Sequence, residues 1–388
     1  MTTRKRAAPR ADRMARVQRI VVKIGSSSVA GVDTPLDMET IRRLVKEICH
    51  LRAAGVEVAL VSSGAVAAGM GRLGLTERPR VTAELQAAAA VGQNLLVHTY
   101  ENLFGRQGVP VGQVLLTAGD ILDDRQRYVN LRNTFRQLFR YGVVPVINEN
   151  DSVGVDELKR QLGDNDMLAA YVANLVQAQL LVILSDVEGL YRRYRDGHGE
   201  DLIHETTGGE DISGVEGRSA GRIAGRLTGR LGRGGMVTKV RAAELLMACG
   251  EMTVIAHARK HRLGDIVRGV NVGTLFLPHV RRMGSRKRWI AFASPTQGAV
   301  VVDDGAVAAI AKQGRSLLPA GVTACAGSFI AGDVVRIEDS RNRELGRGVC
   351  RYSVTELQRI LGRSSPQVQG ILGRPAVEVV HRDDLVLT

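Results

Sequence analysis

The stretch IVVKIGSSS, residues 20–28, places a lysine inside an apolar run that has the composition of a buried strand. Burying a lysine is unfavourable unless an anion lies beside it, because its charge leaves water. The run ends at Gly25 and three serines, as a strand does where it enters a turn. Lys23 is therefore predicted to face an anion at the carboxyl end of this strand. Phosphate is the first candidate, although the P-loop pattern GxxxxGK[ST] is absent from the sequence.

Two further segments offer groups that bind anions. Lys239 closes GRGGMVTK, residues 232–239, and is predicted to open a helix. In VSSGAVAAG, the backbone N–H groups of Ser63, Gly64 and Ala65 are predicted to start a helix and to cradle a carboxylate or a phosphate. A plain serine N-cap is the alternative for this segment.

An acidic segment, INENDSVGVDELKRQLGDNDML, carries side chains that bind cations. Its NEND closes an apolar strand and its GDND opens a helix, so both clusters are predicted to lie on rigid elements. There they would grip a substrate ammonium, hold Mg²⁺ through phosphate oxygens, or orient lysines. The alternative is a solvated acidic loop. The six carboxylates are Glu149, Asp151, Asp156, Glu157, Asp164 and Asp166.

Together these segments favour phosphoryl transfer from ATP to an anionic acceptor. When ATP meets a carboxylate, two like charges about 4 Å apart repel by about 4 kcal/mol at an effective dielectric constant near 20. Lys23, Lys239 and bound Mg²⁺ are the cations that would offset this repulsion. A carboxylate acceptor needs no general base, so positioning and electrostatics suffice for the reaction.

The elements that position these groups follow a repeated pattern. An amphipathic stretch, a glycine and an apolar run recur through the first 280 residues, which predicts helices alternating with strands. Gly55, Gly108, Gly142 and Gly250 stand where helix ends favour a left-handed residue. The apolar runs are continuous, as in a sheet covered on both faces, although Pro145 is unusual in a central strand. The predicted fold class is α/β: an αβα sandwich with a mainly parallel central sheet.

Polar clusters follow the carboxyl ends of these runs: KIGSSS, LVSSGA, VINEND and VILSDVEG. Ligands of open α/β sheets bind at this edge. The four clusters are therefore predicted to converge on one crevice.

Composition divides the chain into regions. Residues 1–16 are basic and lack the apolar segment of a secretory signal, so they are predicted to form a flexible tail. Residues 17–278 carry the helix–strand repeat, and a Gly-Arg repeat at 217–234 predicts a mobile loop within them. Residues 279–289 are predicted to form a linker. Residues 290–388, with short alternating runs between Gly and Asp, predict a small β-rich second domain.

Charge and cysteine content weigh against other classes of protein. The net charge of +13 is concentrated in three segments, 4–19, 218–241 and 281–288, so the chain is not basic throughout and nucleic-acid binding is not required. The four cysteines are scattered without CxxC spacing, which predicts reduced thiols rather than a metal cage. The longest apolar stretches fall far short of the roughly 20 residues of a membrane span, so no membrane contact is expected.

Six motifs in order, VVKIGSSSV, VSSGAVAAG, VPVINENDSV, LGDNDMLAA, LSDVEGLY and GRGGMVTKV, resemble those of the bacterial glutamate 5-kinases of the amino acid kinase family. The C-terminal GRSLLPAGVTACAGSFIAGDVVRIED and GVCRYS are similar to the PUA domain that many of these enzymes carry. The likeness runs from about residue 17 to the C-terminus.

The resemblance implies ATP-dependent phosphorylation of the γ-carboxylate of L-glutamate to γ-glutamyl 5-phosphate, with Mg²⁺, as the first step of proline biosynthesis. It also implies feedback inhibition by proline, a cytoplasmic location and a homo-oligomer, either a dimer or a tetramer. Two alternatives remain open. One is an RNA-binding protein acting through the PUA-like domain, and the other is a kinase of the same fold that phosphorylates another acidic acceptor.

Site residues follow from the resemblance, motif by motif. Lys23 and Lys239 would neutralise the transferring phosphoryl group, and Asp166 would hold both lysines. No side chain is assigned as a direct metal ligand. The glutamate site would comprise Ser63, Gly64, Asp151 and Asn165, and the ATP site Lys23, Ser185, Asp186, Arg233, Gly234, Gly235, Met236, Val237, Thr238 and Lys239.

The chain departs from the family pattern at three places. Arg233 and Val237 stand where relatives usually carry small residues, which affects nucleotide contacts. The stretch from Asp151 to Asn165 is about two residues longer than in some relatives and would alter the sensitivity to proline. The Gly-Arg repeat at 217–234 is peculiar to this chain and is predicted to close over ATP.

Overall fold

A computed structural model describes residues 9–31, 35–122, 125–153, 165–195, 198–208, 235–278, 287, 290 and 296–387. The chain forms two compact units. The first comprises residues 1–118 and 127–282, and the second comprises residues 119–126 and 283–388.

An eight-stranded sheet forms the centre of the first unit. Its strands are β1 (Arg19–Ile24), β2 (Glu57–Ser62), β3 (Val111–Leu116), β4 (Val144–Glu149), β5 (Leu180–Ser185), β8 (Glu205–Thr206), β9 (Met252–His257) and β10 (Thr274–Phe276). They lie in the order β3-β4-β2-β1-β5-β9-β10-β8. All neighbouring pairs except β9 and β10 are parallel, which confirms the predicted mainly parallel sheet. Two further strands, β6 (Tyr191–Arg195) and β7 (His198–Leu202), form a separate antiparallel pair among the described residues.

Ten described helices lie between residues 9 and 278, and α6 among them falls almost wholly in the 119–126 segment of the second unit. They are α1 (Arg10–Met14), α2 (Ser26–Val29), α3 (Met38–Ala53), α4 (Ala65–Leu73), α5 (Thr82–Gly105), α6 (Ala118–Leu122), α7 (Arg125–Arg140), α8 (Asn165–Val176), α9 (Met236–Cys249) and α10 (Leu263–Arg268). Residues Gly55, Gly108, Gly142 and Gly250 have φ angles between 68° and 85°, so the predicted left-handed conformation is confirmed.

The two faces of the sheet are covered by different helices. Ile20, Val22 and Ile24 of β1 belong to the apolar cluster that includes Ile41 of α3 and Leu96 of α5. Successive strand residues point to opposite faces, so Lys23 points away from this cluster, toward the face where α8 packs on β1 and α9 packs on α8. This three-layer arrangement is the predicted αβα sandwich.

Two strands differ from the expectation of uniform, doubly covered runs. Pro145 lies in a central strand, but the pairing of β4 with β2 is confined to Leu60–Val146 and Val61–Ile147, so the missing N–H falls before that ladder begins. β3 lies at the edge of the sheet, and only Leu116 of its six residues is buried. The prediction of full coverage is therefore wrong for β3, because an apolar run does not reveal whether its strand has one neighbour or two.

The predicted tail of residues 1–16 is too long. Residues 10–14 form α1, in which Met14 is 1% exposed and the Arg10 guanidinium donates a hydrogen bond of 2.7 Å to the backbone oxygen of Val272. Gly269 permits this docking, because a Cβ atom there would lie 2.6 Å from the Cα of Ala11. The basic composition of this segment concealed the apolar anchor Met14.

The second unit contains a five-stranded sheet in the order β12-β11-β13-β14-β15. Its core contains Val300, Phe329, Ile337, Tyr352 and Val380, and it is the predicted small β-rich domain. Its strands and helices are β11 (Gly298–Val302), α11 (Asp304–Gln313), β12 (Val322–Gly327), β13 (Val334–Glu338), β14 (Glu344–Val349), α12 (Val354–Arg359), α13 (Ser365–Leu372) and β15 (Leu385–Leu387).

Several predicted segments fall outside the described residues. These are the Gly-Arg repeat at 217–234, most of the longer stretch between Asp151 and Asn165, and the linker at 279–289 apart from Lys287. All four cysteines are free. In the part of the chain that the structure describes, no helix combines the length and the apolar character needed to cross a bilayer.

Candidate active site

The carboxyl ends of β4, β2, β1 and β5 lie side by side, in that order. Each of them is followed by one of the polar clusters in the sequence. The chain passes from β1 to β2 on one side, whereas β5 pairs with β1 on the other side. A crevice forms at such a reversal of strand order, and it is where open α/β sheets bind ligands.

Three charged side chains meet on the face of the sheet that α8 and α9 cover. Lys23 Nζ lies 2.5 Å from Asp166 Oδ1, and Lys239 Nζ lies 3.0 Å from Asp166 Oδ2. The three side chains are 4%, 7% and 0% exposed for Lys23, Lys239 and Asp166. The structure thus brings together all three residues assigned to catalysis, and we call them the lysine–aspartate cluster.

Each member of this cluster is held by a regular element. Lys23 is the fifth residue of β1, Asp166 lies in the first turn of α8, and Lys239 lies in the first turn of α9. A carboxylate is stabilised at a helix N-terminus by the backbone dipoles. Thr238 also donates from Oγ1 to Asp166 Oδ2 at 3.2 Å and to the backbone oxygen of Gly235 at 2.9 Å. Two ammonium groups and one carboxylate carry one net positive charge, which suits an anionic ligand.

A chain of side-chain amides lies beside the cluster. Asn165 Nδ2 donates to Ser63 Oγ at 2.8 Å and to Asn148 Oδ1 at 2.9 Å. Asn148 Nδ2 in turn donates to Gln93 Oε1 at 2.8 Å. This amide chain connects β2, β4, α8 and α5, and because Asn165 precedes Asp166 it adjoins the lysine–aspartate cluster.

Two members of the amide chain have a polar atom without a hydrogen-bond partner. Gln93 Nε2 and Asn165 Oδ1 are buried and have no hydrogen-bond partner among the described residues. A buried donor or acceptor without a partner costs about 1–3 kcal/mol, so a ligand that supplies both partners gains that free energy. Sequence reasoning placed Asn165 and Ser63 here but missed Gln93 and Asn148. Asn148 belongs to the NEND motif at the end of a strand, and this position could have identified it as a site residue. Gln93 lies in the middle of a helix, where no sequence pattern marks it.

The predicted anion cradle at the start of α4 is wrong for the N–H of Ser63. The N–H of Ser63 donates to the backbone oxygen of Ile24 at 3.2 Å, so it extends the sheet and is not available to a ligand. The remaining candidates are Gly64 and Ala65. Gly64 has a φ of 110°, a conformation that residues with a Cβ rarely adopt, and its own Cβ would lie 3.2 Å from Val29 Cγ1.

The backbones of α4 and α5 are in direct contact with each other near the amide chain. A Cβ atom built on Gly69 would lie 1.7 Å from the backbone oxygen of Ala88, and one built on Gly92 would lie 1.8 Å from that of Ala65. Glycine at both positions therefore sets the distance between the helix that follows Ser63 and the helix that carries Gln93.

Asp151 follows β4 at the same edge of the sheet. Burial raises the pKa of its carboxyl to about 6, and the nearby charge of Arg78 only partly opposes this increase. A partner ammonium would restore the charged form, so the raised pKa fits the predicted contact with the amino group of a substrate.

The predicted nucleotide residues occupy the ends of β5 and α9. Ser185 is buried at the end of β5 and donates from Oγ to Asp186 Oδ1 at 3.0 Å, while Asp186 itself is exposed. Gly235 precedes α9, and the stretch from Met236 to Lys239 forms its first turn. Arg233 and Gly234 lie outside the described residues.

Comparison with known protein families matches residues 18–256 to the amino acid kinase family and residues 298–372 to the PUA domain. Glutamate 5-kinase from Pseudomonas paraeruginosa is 46% identical over 97% of this chain and 99% of its own length, and glutamate 5-kinase from Nostoc sp. is 46% identical over 95% and 97%. A solved structure of carbamate kinase from Giardia is 16% identical, with a TM-score of 0.47 over 68% of this chain and 99% of its own. The chain therefore belongs to the amino acid kinase family, in the branch of the glutamate 5-kinases, and is a kinase with a C-terminal PUA domain.

Proposed function

We propose that the protein transfers the γ-phosphoryl group of ATP to the γ-carboxylate of L-glutamate, which yields ADP and γ-glutamyl 5-phosphate. The observation that carries this proposal is the lysine–aspartate cluster, in which Lys23 and Lys239 share one buried carboxylate. The names of the relatives support glutamate as the acceptor, and the adjoining amide chain offers polar groups for an amino acid.

The positive charges of the cluster would offset the main physical obstacle to this reaction, which is the repulsion between ATP and a carboxylate. The two ammonium groups are fixed before the substrates arrive, so they stabilise the transferring phosphoryl group without reorganisation during the reaction. Asp166 keeps the lysines close to each other by contacting both. The acceptor has no proton to lose, so the site needs no general base.

Mg²⁺ is part of the proposal and would add positive charge at the phosphates. Among the described residues, no group of three His, Cys, Asp or Glu side chains lies close enough to hold a metal ion. A Mg²⁺ that accompanies a nucleotide usually keeps several waters and is held by substrate phosphates together with one or two carboxylates.

The acceptor would occupy the space between the amide chain and Asp151. The carboxylate of Asp151 would receive the α-ammonium group, while Ser63, Asn148 and Asn165 would orient the rest of the molecule. Proline carries the same α-carboxylate and an ammonium group but no γ-carboxylate. It would therefore occupy this site without reaching the lysines, which supports feedback inhibition and a place at the first step of proline biosynthesis.

The test is to measure ADP release with L-glutamate as acceptor and to trap the acyl phosphate with hydroxylamine as the hydroxamate. We expect hydroxamate with L-glutamate, little with aspartate or N-acetylglutamate, and inhibition by proline that glutamate overcomes. Hydroxamate formation with another acid, and not with glutamate, would mean that this other acid is the acceptor.

Location and assembly are separate parts of the proposal. ATP and glutamate are both cytoplasmic metabolites, which supports a cytoplasmic enzyme. Size-exclusion chromatography at several protein concentrations tests for the expected dimer or tetramer.

RNA binding through the second unit is less well supported. The match to the PUA domain favours it, but Phe329 and Tyr352, the two Phe, Tyr or Trp residues of 296–387, are each 1% exposed and offer no surface for base stacking. Several arginines of this unit are also paired with carboxylates: Arg336 with Glu338, Arg343 with Asp339, Arg347 with Glu344, Arg351 with Glu378, and Arg374 with Glu356. Tight, salt-sensitive RNA binding by the full chain would restore this alternative.

A further inference from the structure

His257 closes β9 at the same edge of the sheet as the kinase site. Its Cα is the partner of Ser185 across the parallel pair β5–β9. Two residues earlier, Ile183 pairs with both Lys23 and Ile255. Strand residues two apart point to the same face, as do paired residues of neighbouring parallel strands. Lys23, Ser185 and His257 therefore lie on one face of the sheet.

The position of His257 matches the nucleoside end of a bound nucleotide. With strands about 4.8 Å apart and a rise of about 3.3 Å per residue, the Cα of His257 lies about 12 Å from that of Lys23. A nucleotide with its terminal phosphate at the lysine–aspartate cluster and its nucleoside beyond Ser185 extends toward this position. The imidazole is half-buried, so it remains accessible to a ligand.

A hydrogen bond assigns the tautomer of the ring. The backbone N–H of Arg259 donates to His257 Nδ1 at 3.1 Å, so Nδ1 carries the lone pair and the proton of the neutral ring is on Nε2. Burial, followed by the charge of Lys260, lowers the pKa of His257, while Glu188 and Asp186 act in the opposite direction and His261 adds to the lowering. The ring is therefore neutral near pH 7 and presents Nε2–H as a donor.

We propose that His257 is a further nucleotide-binding residue, whose Nε2–H donates a hydrogen bond to an acceptor on the ribose or the base of ATP. This inference rests on the proposed function and deepens it, because it concerns the nucleoside rather than the phosphates. None of the six motifs named in the sequence analysis includes this residue, and the match to the amino acid kinase family ends one residue before it.

Two substitutions separate this role from a structural one. Asparagine at position 257 retains an oxygen that accepts from the N–H of Arg259, as in an Asx-turn, but does not reach the position of Nε2. Glutamine does reach that position and supplies an N–H donor there. His257→Asn therefore keeps the turn and removes the proposed donor, whereas His257→Gln keeps the donor. The control is His98→Ala on α5, where the side chain is 66% exposed.

The experiment is calorimetric titration of the full chain with ADP and, separately, with inorganic pyrophosphate. We expect His257→Asn to raise the Kd for ADP about five- to tenfold, as the loss of one hydrogen bond does, and to leave pyrophosphate binding and the Tm unchanged. His257→Gln and His98→Ala should stay within about twofold of the unaltered protein. In turnover, the KM for ATP should rise by the same factor, with kcat and the KM for the acceptor unchanged.

A further ligand, 2′-deoxy-ADP, tests whether the ribose 2′-hydroxyl is the acceptor. If it is, 2′-deoxy-ADP will bind equally to the unaltered protein and to His257→Asn. If the acceptor is another ribose oxygen or lies on the base, 2′-deoxy-ADP will show the full difference. Unchanged ADP affinity in His257→Asn, or an equal loss of pyrophosphate binding, overturns the inference. Because ADP binding is measured without an acceptor, its outcome does not depend on whether the protein phosphorylates glutamate.

Discussion

At the end of the site that we propose binds phosphate, called the phosphate end, Lys23 and Lys239 both contact Asp166. At the end that we propose binds the acceptor, called the acceptor end, the amide chain has a buried donor at Gln93 and a buried acceptor at Asn165 without partners among the described residues. The first region is assembled without a ligand, whereas the second is proposed to be completed by its ligand. Substitutions at the phosphate end should therefore lower stability or kcat, and those at the acceptor end should raise KM.

The largest expected effect is on stability, from Asp166→Asn. This change removes the carboxylate that both buried ammonium groups contact, and removing one partner of a buried ion pair costs about 3–5 kcal/mol. Urea unfolding would measure it. Glu188→Gln, which removes a more exposed pairing with Lys260, is the control and should cost less than about 1 kcal/mol. Equal unfolding midpoints for the two variants would mean that the lysine–aspartate cluster is not assembled as described.

The next effect is on turnover, from Lys239→Ala. This lysine would act on charge that develops in the transition state, so kcat should fall about 10²- to 10³-fold while the KM for the acceptor changes little. The control is Lys46→Ala on the exposed side of α3. If Lys239→Ala turned over at a rate close to that of the control, Lys239 would have no role in the phosphoryl transfer.

At the acceptor end, Asn148→Ala should produce a smaller and different effect. It interrupts the amide chain between Gln93 and Asn165, and the loss of one or two hydrogen bonds should raise the KM for glutamate about tenfold. The KM for ATP should not change. Asn102→Ala, at an exposed position of α5, is the matched control. A fall in kcat at constant KM would contradict the division between the two ends.

The smallest effect concerns pH and Asp151. Its folded-state pKa is about 6, above the ordinary value of 3.8, so the carboxyl is neutral below pH 6 and charged above it. The KM for glutamate should therefore rise as the pH falls below 6, by at most about tenfold per unit. Asp151→Asn should have a high KM that no longer changes across this range. The same shift makes the ligand-free fold less stable as the pH rises from about 4 to about 6. A KM for the unaltered protein that stays constant from pH 7 to 5 would contradict this assignment.

The two ends also differ in how far the sequence predicted them. Lys23, Asp166 and Lys239 each stand beside a glycine-rich turn or a helix start, so local patterns placed them at strand and helix ends that a parallel sheet brings together. Gln93 could not be found in this way. It lies inside an alanine-rich helix, and only the packing of that helix brings its side chain to Asn148.

Other misses have the same origin in non-local structure. The exposed edge of β3 and the use of the Ser63 N–H within the sheet depend on which strands become neighbours. The docking of α1 depends on Gly269, more than 250 residues away in the sequence. Local sequence patterns do not show which distant segments become neighbours. The alternation of helices and strands could be predicted because it does not depend on those neighbours.

The backbone contact between α4 and α5 gives the acceptor end an unusual sensitivity. Adding a single methyl group at Gly69 or Gly92 would push apart α4, which follows Ser63, and α5, which carries Gln93. Two positions outside the proposed acceptor site thus set the spacing of the helices beside it, so replacing glycine with alanine, a change of one methyl group, would displace two whole helices.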